Sequence, residues 1–415
     1  MPLLPTATKN ATLSAVAAEL DARRADILAA NRRDLDAFPD PSDRAMVDRL
    51  VCDDAKVDAM IAAVEAVLAQ ADPVGAVLSD VERPNGLRVV NRTAPFGTIL
   101  IIYESRPDVT VEAASLAFKA GNRILLKGGK EAVHTNRVLV DCWHAALRQN
   151  GLPTDLVRLL TLDRAATQAF LREPPEPLDL IVPRGGERLI AFVKEHATCA
   201  VLVSGRGNNF CYVHAAADRK MATRIILEAK TDKISACNAL DKVLVDEGLP
   251  DFAGFARSLT ERLQAAGVDV LADETVRGAA PEAGALPGED VWDEEFLAMR
   301  IAIGAVDGID EAVALTNRHS GKHSATIVTA EADAARAFME GVDAAAVYHN
   351  ASTRFTDGGQ FGVGAELAIS TDKLHHRGPL GLEQLVTNKY WVYGAGQVRG
   401  AVPEAAERFG VTPIQ

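Results

Sequence analysis

At 415 residues the chain has room for two or three domains, and 48% hydrophobic with 24% charged residues is ordinary globular composition. A formal net charge of −13 argues against nucleic acid as the main partner, yet local Arg, Lys and backbone N–H groups can still hold a small anion. Five cysteines (52, 142, 199, 211 and 237), odd in number and without a CxxC pair or His-flanked cluster, exclude a disulfide framework and a zinc site and point to a reducing, cytoplasmic setting. Nothing reads as a signal peptide, and no apolar run is long enough to span a membrane.

The first stretch, 8–37, is predicted as helix, with Leu13, Val16, Leu20, Ile27, Leu28 and Leu35 at helical spacing. Residues 40–72 give more helix, ended by Asp72-Pro73. GLRVVNRTAPFG alternates like an exposed or intersubunit strand, and Thr98–Tyr103 is a continuous apolar run typical of a parallel strand buried on both faces. Strand and helix then alternate. Helices are expected over 109–121, 135–151, 164–173 and up to His196, and strands over 124–127, 157–162, 178–182, 200–203 and 210–213. Repeated strand–turn–helix units imply right-handed crossovers and a parallel sheet that binds ligands at its strand C-termini. After a helical run at 221–230 and a buried strand at 240–245, helices near 251–266 and 331–341 and strands near 300–303, 325–328 and 345–348 form a second α/β domain. The tail, QLVTNKYWVYGAGQVR, is β-like and aromatic. Its exposed aromatics need a cover, and pairing with GLRVVNRT as an arm on another subunit supplies one.

Three glycine turns follow apolar strands: Lys127-Gly128-Gly129-Lys130, Pro183-Arg184-Gly185-Gly186-Glu187 and Ser204-Gly205-Arg206-Gly207. Such turns let backbone N–H groups approach an anion at a helix start. Together they favour a nucleotide site, although none is a GxGxxG or Walker sequence. Tyr103-Glu104-Ser105-Arg106-Pro107-Asp108 presents polar groups at the ligand side of the sheet while also capping a helix, and His349-Asn350-Ala351-Ser352-Thr353-Arg354 suits carboxylate or phosphate recognition or holds its own loop. His375 and His376 lack companion ligands and read as solvated or interface residues. Cys237 sits among Ser235, Ala236, Asn238 and Ala239, small neighbours that leave room for a substrate. A helix beginning at or just after it would lower its pKa, whereas an unpaired cysteine is more often a buried small hydrophobe.

In RTAPFGTILIIYESRPDVTVEAA, LKGGKEAVHTN, DLIVPRGGERLI, ACNAL, NASTRFTDGGQFGVGAELAIST and KLHHRGPLGLE the chain resembles the γ-glutamyl phosphate reductases, a family of the aldehyde dehydrogenase superfamily. The likeness covers nearly the whole chain, and the pairing of YESRP with NASTRF and GGQFG is its most specific part. It implies an aldehyde-dehydrogenase-like α/β fold: an NADP-binding domain over 1–80 and 98–228, a catalytic domain over 229–380, and a β arm for oligomerisation over 81–97 and 381–415. It implies NADPH-dependent reduction of L-glutamyl 5-phosphate to L-glutamate 5-semialdehyde and phosphate, the second step of proline synthesis from glutamate, by a homo-oligomer, with glutamate 5-kinase as a candidate partner. Cys237 is then the nucleophile, with Ser105 or Asn238 and the Cys237 N–H as oxyanion donors. Lys127, Gly128, Gly129, Lys130, Arg184, Gly185, Gly186 and Glu295 are implied at the cofactor, and Arg106, Asn350, Thr353 and Arg354 at the substrate anions. Val203 stands where oxidising members of the superfamily carry the glutamate that activates water, so hydrolysis of a thioester is slowed. Another acyl phosphate or a CoA thioester remains the alternative substrate, and a silent binding protein the alternative role. Two stretches depart from the family pattern: Lys230-Thr231-Asp232-Lys233-Ile234 where KTQRP is usual, and GRGNNFCYVH where GxGxCHxY is usual.

Overall fold

The computed structural model describes residues 3–40 and 42–399. Four helices open the chain: α1 (Thr6–Ala22), α2 (Arg24–Asp36), α3 (Arg44–Leu50) and α4 (Asp54–Ala69). The first predicted helix is thus two. The chain bends at Arg23 (φ −102°, ψ 16°), and Arg24 reaches across to the Asp54 carbonyl on α4 (3.1 Å). The second predicted helix is also divided. Val51–Asp53 is extended, the Asn31 side chain holds Leu50 and Cys52, and Asp53 caps α4 by accepting from the Lys56 N–H (2.9 Å).

Strands β1 (Val77–Glu82) and β2 (Arg88–Pro95) form an antiparallel pair. The first parallel sheet follows: β3 (Thr98–Tyr103), β4 (Arg123–Lys127), β5 (Val157–Leu159), β6 (Leu180–Arg184) and β7 (Ala200–Val201), in the order β5-β4-β3-β6-β7. Its crossovers run through α5 (Pro107–Lys119), α6 (Val133–Gln149), α7 (Arg164–Arg172) and α8 (Glu187–His196). β3 explains why the run TILIIY must be apolar throughout. Ile99, Ile101 and Tyr103 face one core while Leu100 and Ile102 face another. The strand order reverses direction between β3 and β6, the position at which such sheets open a crevice for ligands.

A seven-stranded sheet holds β8 (Asn209–Val213), β9 (Leu240–Asp246), β10 (Asp269–Ala272), β11 (Gly284–Ala285), β12 (Arg300–Val306), β13 (Ser324–Val328) and β14 (Ala346–His349), in the order β11-β10-β12-β9-β8-β13-β14. Helices α9 (Arg219–Thr231), α10 (Phe252–Ala265), α11 (Glu274–Ala279), α12 (Ile309–His319) and α13 (Ala332–Gly341) belong to this half. The boundary expected at residue 228 therefore moves back. β8 is hydrogen-bonded between β9 and β13, and α9 packs Ile225, Ile226 and Ala229 into the same core as Val243 and Val245.

A short pair, β15 (Ile369–Ser370) with β16 (Gly378–Pro379), precedes β17 (Val386–Tyr393). β17 pairs antiparallel with β2 from Val386 opposite Pro95 to Tyr393 opposite Arg88, so the tail does join GLRVVNRT as predicted. β1 was not anticipated. All six of its residues are exposed, so no burial period marks it in the sequence. The expected arm extends to residue 415, of which 400–415 lie outside the described residues.

Candidate active site

Cys237 lies in a turn between α9 and β9, with no helix beginning there. The expectation of a helix N-terminus at the sulfur is therefore corrected. The turn closes through two main-chain bonds, Ala236 N–H to Lys233 O and Ala239 N–H to Ala236 O, and then enters the buried strand. Side chains do the rest of the positioning. The amide of Asn209, fully buried, donates to the carbonyls of Cys237 (2.9 Å), Ala239 (2.6 Å) and Gly207 (2.8 Å). Gly207 passes so close that a Cβ on it would stand 2.1 Å from the Cys237 carbonyl oxygen. Of the five cysteines, Cys52, Cys142 and Cys211 are buried, while Cys199 and Cys237 keep partial exposure.

The charges around the sulfur come from both halves of the molecule. Burial pushes the Cys237 thiol up to about 11, aided by the carboxylates of Glu366 and Glu295 and opposed by the guanidinium groups of Arg184 and Arg106. Cys237 as a residue keeps partial exposure while protein surrounds its sulfur on most sides, enough for burial to dominate. Arg106 follows β3 and Arg184 ends β6, beside Tyr103 in the strand register. Arg184 is half-buried, its main chain paired with β3. The Arg184 charge also acts on Glu112 and on Glu366 itself: burial raises Glu112 to about 7, with Asp108 adding and Arg184 opposing, and burial raises Glu366 to about 7, with Asp357 adding and Arg184 opposing. One Glu366 oxygen, Oε2, is buried without a hydrogen-bond partner. A separate groove of about 750 Å³ between α9 and α10, lined by Arg219, Arg224, Phe255 and Arg262, shares no residue with this constellation.

Several residues expected in the cleft are engaged elsewhere. Both amide bonds of Asn238 go to main-chain carbonyls, Arg354 (3.1 Å) and Thr356 (2.9 Å), so it clamps the thiol turn and has no donor left for an oxyanion. Thr353, fully buried, donates to the Asn238 carbonyl (2.8 Å). Asn350, at φ 58°, uses its amide on the N–H and C=O of Thr329 (3.0 and 2.9 Å). Asn238, Thr353 and Asn350, expected at the ligands, spend their side-chain donors here on fastening loops. Arg354 is paired with Asp232 (2.8 Å), and Asp232 is one of the residues that depart from the family pattern. Ser105, buried at φ 28°, donates from its hydroxyl (2.6 Å) and N–H (3.1 Å) to Glu131, so as an oxyanion donor it would first have to leave that carboxylate. Asn208, Asn209, Glu112 and Glu366 were missed. The paired asparagines in GRGNNF were visible in the sequence, but nothing there shows that both turn inward onto carbonyls.

The aldehyde dehydrogenase family profile matches residues 4–286. The γ-glutamyl phosphate reductase of Moorella thermoacetica is 44% identical over 398 residues, 95% of this chain and 94% of that protein. That of Geobacillus thermodenitrificans is 42% identical over 400 residues, 96% of this chain and 95% of that one. This chain belongs to the γ-glutamyl phosphate reductase family. The crystal structure of the γ-glutamyl phosphate reductase from Thermotoga maritima matches it with a TM-score of 0.92 at 42% identity, covering 96% of this chain and 95% of that chain. An acetylating aldehyde dehydrogenase from Geobacillus thermoglucosidasius, at 17% identity and TM-score 0.64 over 96% of this chain and 94% of that chain, shares the fold.

Membership of the aldehyde dehydrogenase family implies a nicotinamide cofactor, and this member's first sheet fits one. The Lys127 ammonium, half-buried at the end of β4, donates to the Gly128 carbonyl (3.2 Å), which leaves donors for a ligand. Burial lowers its pKa and Glu131 opposes that. Gly128 is hemmed in, since a Cβ there would meet Asn136 Nδ2 at 2.3 Å, whereas Gly186 caps α8 with nothing within 4 Å of its Cβ position, an open helix N-terminus. Lys130 is exposed at the start of the turn into α6, and Gly185 is exposed beside Gly186. Glu295, half-buried, approaches from the second half near enough for its charge to act on the sulfur. Among the described residues no group of three His, Cys, Asp or Glu could hold a metal ion, and no helix is long and apolar enough to cross a membrane.

Proposed function

We propose that this reductase takes L-glutamyl 5-phosphate and NADPH to L-glutamate 5-semialdehyde, NADP and phosphate through a thioester on Cys237, the second step of proline synthesis from glutamate. The carrying observation is a partly exposed cysteine whose sulfur feels two arginines, Arg184 at the end of β6 and Arg106 in the turn after the adjacent β3. The thiolate adds to the acyl carbon, a carbon–sulfur bond forms, the bond to the phosphate oxygen breaks, and phosphate leaves toward those arginines. Arg106 and Arg184 favour the thiolate, and the thiol proton ends on the departing phosphate, which leaves as its monohydrogen dianion, so the step balances. Bound reduced nicotinamide supplies the hydride that brings the thioester to the aldehyde level. Through that stage the chain holds the acyl group by its sulfur, excludes water, and releases aldehyde with the thiolate restored. Val203, which is buried, offers no base to water, which protects the thioester. Lys127, Gly128, Gly129, Gly185 and Gly186 line the dinucleotide side, with Glu295 at the nicotinamide ribose and Lys130 at the 2′-phosphate.

The same reading extends to assembly. β1, β2 and β17 form a sheet that leaves Val77, Leu78, Tyr390, Trp391, Val392 and Tyr393 exposed, and a second copy of the chain is the proposed cover. A reverse assay tests the chemistry. With pyrroline-5-carboxylate and NADP, NADPH should form only when phosphate is present and not with Cys237→Ala. Formation supported by CoA in place of phosphate would reassign the substrate to a thioester.

A further inference from the structure

Glu294–Leu297 has no regular secondary structure, and Leu297 adopts a left-handed backbone (φ 47°). A segment without a backbone ladder must have its polar groups satisfied by something else. Here side chains supply it, and they come from the strand that follows the thiol and from the turn before its neighbour. Lys242 Nζ donates to the Glu294 carbonyl (2.7 Å), and Asp241 accepts from the Phe296 N–H (2.9 Å). Asp241 also takes a hydrogen bond from Lys230 Nζ (2.8 Å), and the Lys242 ammonium stands 3.8 Å from the centre of the Phe296 ring. Arg206 donates to the Asp293 carbonyl and Asn208 to the Trp292 carbonyl, each at 2.6 Å. Lys230 and Lys242 are fully inaccessible and Asp241 nearly so. Two buried lysines and one buried aspartate are costly to maintain. Their hydrogen bonds converge on the residues on either side of Glu295.

We propose that Lys242, with Asp241, is a positioning residue for Glu295, fixing the loop that carries this carboxylate in register with the thiol turn through their common strand β9. The strand holds Asp241 and Lys242 four and five residues beyond Cys237. A single rigid element therefore sets both the sulfur and the group that meets the nicotinamide ribose. This inference rests on the reading of Glu295 given above, and one of its two readouts needs no cofactor.

The test compares Lys242→Met, Phe296→Leu and Glu295→Gln with the parent protein. NADPH binding is followed by fluorescence, and the pH profile of iodoacetamide alkylation at Cys237 is followed in the cofactor-free enzyme. Lys242→Met keeps the buried stem and removes the ammonium. It should weaken NADPH binding about tenfold, the low end for a lost hydrogen bond to a charged group, and change kcat at saturating NADPH much less. As the Glu295 carboxylate moves off the sulfur, the alkylation profile should shift to lower pH, in the direction that Glu295→Gln produces outright. Phe296→Leu, which removes the ring beneath the ammonium, should shift both readouts the same way by less, and it carries the test if Lys242→Met does not fold. If Glu295→Gln weakens NADPH binding while Lys242→Met and Phe296→Leu leave both binding and alkylation unchanged, the positioning role is overturned. If Glu295→Gln leaves NADPH binding intact but Lys242→Met still shifts the alkylation profile, the ribose reading fails and the coupling of loop to thiol stands.

Discussion

The Thr353 hydroxyl donates to the main-chain carbonyl of Asn238 at 2.8 Å, and the Asn238 amide returns two bonds across the same junction. The thiol turn and the loop after β14, more than a hundred residues apart in sequence, are thereby one unit. Thr353→Val should lower stability by about 1–2 kcal/mol, since it leaves a buried carbonyl unpaired. Asn238→Ala, which deletes two bonds, should cost more and reduce kcat by displacing the sulfur. Urea denaturation read beside kcat separates the alternatives. A fall in kcat at unchanged urea midpoint for Asn238→Ala would restore it as an oxyanion donor.

Gly207→Ala should be among the most damaging single-methyl changes in the protein. The added Cβ would lie 2.1 Å from the Cys237 carbonyl oxygen and 2.6 Å from its Cα, so one backbone or the other must move. Gly207 has no left-handed φ and needs no glycine for its own conformation, which isolates the effect to contact. A displacement of about an ångström at a reacting group costs on the order of a hundredfold in rate. The expected result is a large fall in kcat with NADPH affinity nearly kept. An enzyme with normal kcat would show that the turn tolerates the shift.

The contrast between Gly207 and the strand TILIIY shows what a sequence can and cannot reveal. Alternation of strand and helix, the two-faced burial of β3 and the pairing of the tail with GLRVVNRT all follow from local pattern, because burial imposes a period on the residues themselves. The fasteners do not. Asn350, Thr353 and Asn238 have the chemistry of ligand contacts, and only the fold shows that their donors end on carbonyls. The charges around the sulfur are equally hidden, since Arg106, Arg184, Glu295 and Glu366 reach it from four separate stretches of chain. β8 was placed in the first sheet because it follows β7 in order, and nothing local records that the chain crosses to the second sheet after Gly207.

Glu366→Gln should make the thiol more acidic. Its carboxylate is the strongest charge opposing ionisation of Cys237, after burial itself. Its removal favours the thiolate, so the alkylation rate at pH 8.5 should rise and the whole profile should move to lower pH. A profile unchanged or moved upward would show that the charge of Glu366 does not reach the sulfur.

The same carboxyl should tie stability to pH. Glu112 and Glu366 are raised by burial from 4.5 to about 7 in the folded protein. A group raised on folding stabilises the fold fully below its unfolded pKa, and that contribution is lost as pH climbs through the folded value. Between about pH 4.5 and 7 the two carboxyls therefore make the protein less stable as pH rises, against the usual trend of paired acids. In Glu366→Gln one of the two groups no longer titrates, so urea midpoints measured from pH 5 to 7.5 should decline less steeply than in the parent. Equal slopes would mean that Glu366 keeps an ordinary pKa.

The arm offers a test of assembly that leaves the active site untouched. Tyr390 and Val392 share one face of β17 and Trp391 and Tyr393 the other, and all four are 40–61% exposed. Arg92 stands 5.0 Å from the Trp391 ring centre, and Arg88 lies opposite Tyr393 in the β2–β17 register. A strand with aromatic side chains exposed on both faces has no reason to keep them unless another surface covers them. Replacing Tyr390 and Val392 together by Asp puts two charges on one face without breaking the β2–β17 backbone pairing. Light scattering after gel filtration should then report a smaller species than the parent. Replacing Trp391 and Tyr393 in the same manner asks whether the opposite face is covered too. A parent protein that is already monomeric, or a double variant with the parent's mass for both faces, would remove the arm from the assembly.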